Sequence, residues 1–375
     1  MRVAVVTESF LPQVNGVTNS VLRLLEFFDA YGHQAIVIAP ESTQPIDSYL
    51  GFQVRRTPSL NFRKLIPIAI PNFTIRHFLE GFQPDIIHLA SPTILGSYVL
   101  NVAEELNMPS ISIYQTDVGG FARHYGLKLG SESLQRGLVR IHNKSTRTLA
   151  PSSSAAQDLI NLGATNVHVL PRGVDLNRFN PAHRSEQLRL KWSDQGRKRI
   201  VGYMGRVANE KSIEDLSILN DDQQIQIVII GDGPAKKKIQ NALPGAIFLG
   251  QLSGNELAEN LASFDIFVHT GRHETFCQSI QEALASGIPV VAPSAGGPLD
   301  LIIEGVNGHF FRPGNREELK AAVYSILEGE IDQYEFAARE SVITRDWDSI
   351  NRRLYEHYIE VLRIHQKNIE AQVVA

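Results

Sequence analysis

The sequence predicts an α/β protein of two Rossmann-like, doubly wound domains, and three observations lead there. The chain has 375 residues, a length that on ordinary domain sizes divides into about two units. Continuous apolar strand runs alternate with helical patterns, and that alternation begins twice. Between the two series lies a polar, basic stretch, "NPAHRSEQLRLKWSDQGRKR". The expected organisation is an N-terminal Rossmann-like domain at 1–171, a linker region at 172–198, a C-terminal Rossmann-like domain at 199–350, and a helix at 351–375 returning to the N-terminal domain.

The first series opens with "RVAVVT", a strand apolar on both faces, then the loop "ESFLPQVNG". In the next stretch Val17, Val21, Leu24, Leu25 and Phe28 recur at helical spacing, and Gly32 is placed to end that helix. "QAIVIAP", "PDIIHLA", "PSISIYQT", "RTLAPSS" and "NVHVLP" follow as strands, with helices at 93–107 and 132–146. The second series runs "IVGYMG", "QIQIVIIGDGP", "AIFLGQL", "DIFVHTG", "IPVVAPS" and "GHFFRPG", and the stretch 315–366 reads as several helices. Strands buried on both faces and separated by helices imply mostly parallel sheets with right-handed crossovers. Two such domains facing each other place a cleft at the carboxyl ends of their strands, where doubly wound folds bind ligands.

Composition narrows the function. The net charge of −4 argues against a general nucleic-acid binder. Residues 1–185 carry 16 Lys+Arg against 13 Asp+Glu, so the positive excess lies in the N-terminal half and suits an anionic partner there. Cys277 is the single cysteine, so no internal disulfide forms and a cytoplasmic protein is expected. The opening "MRVAVVTESF" is too short an apolar run for a signal peptide, and no stretch reaches the ~20 apolar residues of a spanning helix. Membrane contact is therefore expected to be peripheral. The segment 55–73, "RRTPSLNFRKLIPIAIPNF", mixes basic and apolar residues in a way that suits an anionic membrane surface, with core packing as the alternative. The basic helix around Arg136, Arg140, Lys144 and Arg147 reads equally as a solvated face.

Several loops carry chemistry. Gly16 in "PQVNGV" stands at a helix start, where backbone N–H groups and the positive helix end attract anions. Gly231 in "IIGDGP" lies in a second strand-to-helix glycine loop, although G-x-G-x-x-G is absent from both domains' first turns. Arg206 and Lys211 in "GRVANEK" offer a planar fork and a point charge at a strand's carboxyl end, suited to a diphosphate.

"GRHETFCQSIQEALASGIPVV" holds Glu274 and Glu282. Eight residues of helix rise ~12 Å, beyond the separation of about 5–9.5 Å that a glycosidase acid pair needs. Glu274 is expected in the loop and Glu282 about two turns into the helix. His269, His273, Glu274 and Cys277 match no metal-ligand spacing, so no metal site is expected, and Cys277 reads as a buried thiol rather than a nucleophile.

These motifs occur together and in order: "PQVNGV", "LPRGVDLNRFNP", "GRVANEK", "IIGDGP", "FLGQL" and "ETFCQSIQEALASGIPVVA" followed by "GG". Over essentially its whole length the chain resembles the retaining glycosyltransferases of family 4, which have the GT-B fold. Its pattern is similar to that of actinobacterial GDP-mannose-dependent α-mannosyltransferases of the phosphatidylinositol and glycolipid type. The resemblance implies that Arg206 and Lys211 hold the donor's diphosphate, that Gly16 and Gly231 lie near the donor, and that Glu274 contacts the transferred sugar. It places backbone N–H groups of Phe276, Cys277 and Gln278 at phosphate and sugar, Glu282 at the ribose, and Gln251 and Leu252 at the base. It implies a nucleotide-sugar donor as substrate, no cofactor or metal, and a lipid or envelope-glycan acceptor. Three positions depart from the family. Gln115 in "YQTDVGGFARHYG" replaces a sugar-contacting histidine, with Asp117 or His124 as candidate catalytic substitutes; Cys277 replaces a common glycine, and Gln278 a common apolar residue. A UDP-sugar transferase, an epimerase and a non-catalytic sugar-nucleotide binder remain alternatives.

Overall fold

A computed structural model describes residues 1–62, 66–70, 72–115 and 131–374, and the side chains of 60–62, 66–68, 131–134 and 372–374 are left aside. Asp117, His124 and part of the 55–73 segment lie outside the described residues. The chain divides into two compact units, Met1–Arg172 with Asp348–Ala375, and Gly173–Trp347.

In the first unit the strands are β1 (Arg2–Thr7), β2 (Gln34–Pro40), β3 (Ser48–Tyr49), β4 (Phe52–Thr57), β5 (Ser59–Phe62), β6 (Ile66–Ala69), β7 (Ile86–Ala90), β8 (Ser110–Ile113), β9 (Arg147–Ala150) and β10 (Val167–Val169). Its helices are α1 (Gly16–Ala30), α2 (Thr74–Phe82), α3 (Ile94–Glu105), α4 (Ser131–Lys144) and α5 (Ser153–Asn161). The main sheet has the order β10-β9-β8-β7-β1-β2-β4-β3, parallel throughout except for β3 against β4. β5 and β6 form a separate antiparallel pair. Val3 to Val6 are buried because β1 is flanked by β2 and β7 and covered on both faces, which is what its unbroken apolar run requires. Arg147 is buried at the start of β9 and paired with Glu360, not carried on an exposed basic helix. Lys144, in the last turn of α4, reaches Glu104 at 2.7 Å.

The second unit contains β11 (Arg199–Met204), β12 (Ile225–Ile230), β13 (Ile247–Gly250), β14 (Ile266–Val268), β15 (Val290–Pro293) and β16 (Gly308–Phe311). Around them lie α6 (Glu186–Trp192), α7 (Lys236–Ala242), α8 (Gly254–Ala262), α9 (Gln278–Ala285), α10 (Arg316–Leu327) and α11 (Ile331–Glu340). The order β13-β12-β11-β14-β15-β16, all parallel, is the 3-2-1-4-5-6 arrangement of a dinucleotide-type sheet. Its strand order reverses between β11 and β14, so the loops after those two strands flank the switch point where such sheets bind ligands.

The stretch 172–198 is structured within the second unit from Gly173 onward. Val174 N–H donates to Arg345 O at 2.9 Å, and Trp192 packs against Phe264 in the core. Arg339 of α11 donates to Phe179 O at 2.8 Å, Ala285 O at 2.5 Å and Leu176 O at 3.2 Å, tying this stretch to the end of α9. Arg339→Ala strands three partly buried carbonyls, and chemical denaturation should register a loss of about 3 kcal/mol or more in the second unit.

The helix α12 (Trp347–Val374) packs mainly on the first unit. Ile350, Leu354, Tyr358 and Val361 join its core, and at roughly 1.5–3 kcal/mol per buried side chain this face holds the helix firmly. The Tyr358 hydroxyl meets His88 Nδ1 at 2.8 Å inside that core. Burial drives the His88 pKa down to about 3, so the imidazole is neutral.

Candidate active site

The loop after β11 carries Arg206 and Lys211, and the loop after β14 carries His269 and Glu274. Strand order therefore brings together residues separated by 63 positions: Lys211 Nζ donates to Glu274 Oε1. His269 Nε2 meets the same oxygen at 3.0 Å. Burial works against the Glu274 carboxylate, but the hydrogen bond and charge of His269, then those of Lys211, overcome it and hold the pKa at about 2. Burial likewise opposes the Lys211 ammonium, and Glu274 outweighs it, raising that pKa. Thr270 Oγ1 fixes the Lys211 backbone, donating to its carbonyl at 2.6 Å.

Arg206 stands on the same loop, 46% exposed and paired with Glu210. This loop is joined backbone to backbone with the one after β12: Gly205 N donates to Ile230 O at 3.0 Å, Val207 N to Asp232 O at 2.9 Å, and Ala235 N to Val207 O at 3.0 Å. Gly231 is the point of closest approach. It has φ +135°, and a Cβ there would lie 1.9 Å from Gly205 O. Its N–H donates to Gly250 O at 2.7 Å, which links it to the segment of Gln251, exposed, and Leu252, half-buried.

The segment between β14 and α9 is shaped by its neighbours. Gly297 N donates to Glu274 O at 2.7 Å, and a Cβ on Gly297 would come within 2.4 Å of Phe276. That close packing is why two glycines follow the strand β15. The Phe276 ring is in the core, so only its backbone can face a ligand. Gln278 donates to Gly173 O at 3.0 Å within its own unit. Cys277 precedes α9 with φ +76°. That left-handed backbone favours glycine and costs a non-glycine residue about 1 kcal/mol or more.

Two expectations need correction. The helix begins only at Gln278, so Glu282 is its fifth residue, little more than one turn in, and the ~12 Å helical rise does not measure its separation from Glu274. The absence of metal-ligand spacing did not prevent His269, Glu274 and Cys277 from converging: one ligand atom of each lies within 4.8 Å of the others. A nitrogen, an oxygen and a sulfur are a donor set for a soft divalent ion. The Lys211 ammonium, however, already sits on the carboxylate oxygen that such an ion would use.

In the first unit the order reverses between β1 and β7, and the loops there gather Glu8 and Gly16. Glu8 Oε1 accepts from Thr93 N at 2.9 Å and Gly96 N at 3.2 Å, at the start of α3. Burial raises its pKa, while the Gly96 and Thr93 amides pull it back. Asn15 caps α1, its side chain accepting from Thr18 N at 3.0 Å. Arg172, which sequence reasoning passed over, donates to Gly16 O at 2.8 Å and to Gln115 Oε1 at 3.1 Å. An arginine within "LPRGVD" is the one signal that could have drawn notice, but its partners lie far away in sequence.

Residues 14–178 match the family described as Glycosyltransferase Family 4, and residues 185–341 match Glycosyl transferases group 1. The chain is 46% identical to a GDP-mannose-dependent alpha-mannosyltransferase of Corynebacterium glutamicum, over 98% of this chain and 91% of that one. It is 45% identical to the Mycobacterium tuberculosis protein of the same name, over 96% of both. Among solved structures it is similar to the sucrose-phosphate synthase of Thermosynechococcus elongatus, with a TM-score of 0.79, 18% identity and coverage of 97% and 99%. Anabaena Alr3699/HepE in complex with UDP gives 0.77 at 18% identity, covering 96% and 100%. At that identity the likeness is one of fold. Two parallel-sheet domains, two successive family matches and near-full-length relatives agree: the chain is a glycosyltransferase and belongs to family 4, with the GT-B fold.

Proposed function

We propose that the chain transfers mannose from GDP-mannose to a hydroxyl of a lipid or envelope glycan, with retention of configuration and without a metal ion. The observation that carries this reading is the 46% identity, over nearly the full length of both chains, to a relative named as a GDP-mannose-dependent alpha-mannosyltransferase. The chemistry of the Lys211–Glu274 cluster supports it. Arg206 and Lys211 offer fixed cations for the departing diphosphate, which replaces the work of a divalent ion. Glu274, held ionised, accepts from a hydroxyl of the transferred sugar. Gly16 and the start of α1 serve the phosphates, Gly231, Gln251 and Leu252 the base side, and Glu282 the ribose, while the backbone at Phe276, Cys277 and Gln278 lies along the donor. Asp117 and His124 are the candidates for the sugar-side role left open by Gln115.

In the front-face reaction, the bond from the sugar's anomeric carbon to the phosphate oxygen breaks while the acceptor oxygen bonds to the same face. The acceptor proton passes to the leaving phosphate, and GDP departs. A lipid acceptor agrees with the exposed apolar residues Phe73 and Ile70, 82% and 41% accessible, beside the basic β4–β6 region. Among the described residues no helix is long and apolar enough to cross a membrane, so approach from the membrane surface suits the chain.

A thermal-shift panel of GDP-, UDP- and ADP-sugars tests the donor. At about 100 times its dissociation constant GDP-mannose should stabilise the protein by about 2.7 kcal/mol, an upward shift of several degrees. Greater stabilisation by UDP-sugars would overturn the assignment.

A further inference from the structure

Glu274 uses its two carboxylate oxygens unequally. Oε1 accepts from both Lys211 Nζ and His269 Nε2. Among the described residues Oε2 accepts nothing. The side chain is 14% exposed, so one oxygen is fastened inside the protein while the other is left to a ligand. The two donors to Oε1 differ in kind. Lys211 is a point charge on a flexible stem, which neutralises the carboxylate but orients it weakly. His269 is 2% exposed and mounted on the sheet: its backbone N–H donates to Val291 O at 2.9 Å, extending the β14–β15 pairing. Its ring lies nearly parallel to the buried Tyr203 ring, at 13° and 6.2 Å between centroids. A Cβ on Gly271 would come within 3.0 Å of His269 Nε2 and 3.2 Å of Glu274 Oε1, so the contact is closely walled.

We propose that His269 is a positioning residue for sugar transfer: its Nε2–H, carried on the sheet, locks Glu274 Oε1 and thereby turns Oε2 toward the donor sugar. The inference rests on the sugar-contacting role given to Glu274 above. His269 Nδ1 is buried with no nitrogen or oxygen partner, and beyond Glu274 the ring's other polar neighbour is the Cys277 thiol, so the proton aimed at the carboxylate is the one on Nε2. Both the neutral Nε2–H tautomer and the imidazolium carry that proton. Burial disfavours the imidazolium, whereas Cys277 and then Glu274 favour it strongly enough to raise the pKa to about 10. In either state the ring donates to Oε1, so positioning persists across the neutral pH range. A loop carboxylate oriented from the sheet loses little freedom when the sugar binds, which is the condition for an interaction that acts in the transition state.

The test compares His269→Ala, His269→Gln and His269→Asn, assayed with whichever nucleotide sugar stabilises the wild-type protein most. A donor other than GDP-mannose therefore defeats the donor assignment while leaving this test intact. Glutamine places an amide N–H near the Nε2 position, and asparagine near Nδ1. His269→Ala should lower kcat about 30- to 100-fold with KM and GDP affinity within about threefold, as loss of a transition-state interaction requires. His269→Gln should recover to within about fivefold of wild type and His269→Asn should not. In a Glu274→Ala background His269→Ala should cost less than about twofold, because the two residues act as one unit. Equal activity of the Gln and Asn variants sinks the proposal, and so does an undiminished His269→Ala penalty without Glu274. If the alanine variant fails to fold, the Gln and Asn pair decides.

Discussion

Glu274→Ala is expected to reduce sugar transfer about 10²- to 10³-fold while GDP affinity stays within a few-fold, the signature of a group acting on the sugar rather than the nucleotide. Calorimetric titration with GDP beside transfer kinetics makes the comparison. A matching loss of GDP binding would show that the carboxylate serves the diphosphate end. The variant also strips Lys211 of its partner, so part of the damage comes from a half-buried ammonium left without its carboxylate. Glu274→Gln separates the two effects, since it keeps the shape and removes the charge. The Glu274 pKa is lowered from 4.5 to about 2, so the stability its pairing contributes is complete above pH 4.5 and is lost as pH falls toward 2. The melting-temperature gap between wild type and Glu274→Gln should accordingly be widest between about pH 4.5 and 6.5, shrink as pH falls toward 2, and shrink also as pH rises from 6.5 toward 10, where the His269 imidazolium that Glu274 supports loses its proton.

Gly231→Ala should do comparable harm by another route. The new methyl group meets a carbonyl oxygen 1.9 Å away, and the backbone at φ +135° admits almost no residue but glycine. The loop after β12 must withdraw, and the hydrogen bonds that hold the Arg206 loop to it go with it. A loss of about 3 kcal/mol or more is expected, together with weaker GDP binding in whatever protein still folds. Unchanged melting and GDP affinity would show that the two loops are not mechanically joined. On this reading Gly231 serves the donor through the neighbouring loop, by permitting contact between backbones.

The parallel strands were legible because burial on both faces leaves runs such as "RVAVVT" and "IVGYMG" with no polar alternation. β3 to β6 escaped notice: they are short, broken by polar residues such as Gln53, Arg55, Arg56 and Asn61, and lie at or outside the sheet's edge, where no such run is needed. The residues of the candidate site were named from motifs, but their pairing was not. Arg206 and Lys211 read as diphosphate ligands and Glu274 as a sugar ligand, whereas Lys211 and Glu274 share an oxygen in the structure. Only strand order creates that contact. His269 was weighed as a metal ligand and set aside on spacing, because the sequence offers no view of a ring aimed at a carboxylate five residues on. The position of Glu282 was misjudged because the break at Cys277 depends on a left-handed residue that this chain fills with something other than glycine.

The second unit, Gly173–Trp347, is inserted into the first, and its two ends run side by side through the Val174–Arg345 hydrogen bond. That arrangement sets an order of assembly on the ribosome. Residues 1–172 emerge first, but the surface that α12 will cover stays open until the intervening 173–347 have been made. At roughly 5–20 residues per second that delay is on the order of ten to thirty seconds. During it the insertion can complete its own sheet while the earlier-born unit waits for Tyr358 and Val361 to close its core. The half of the enzyme translated first is thus the half finished last.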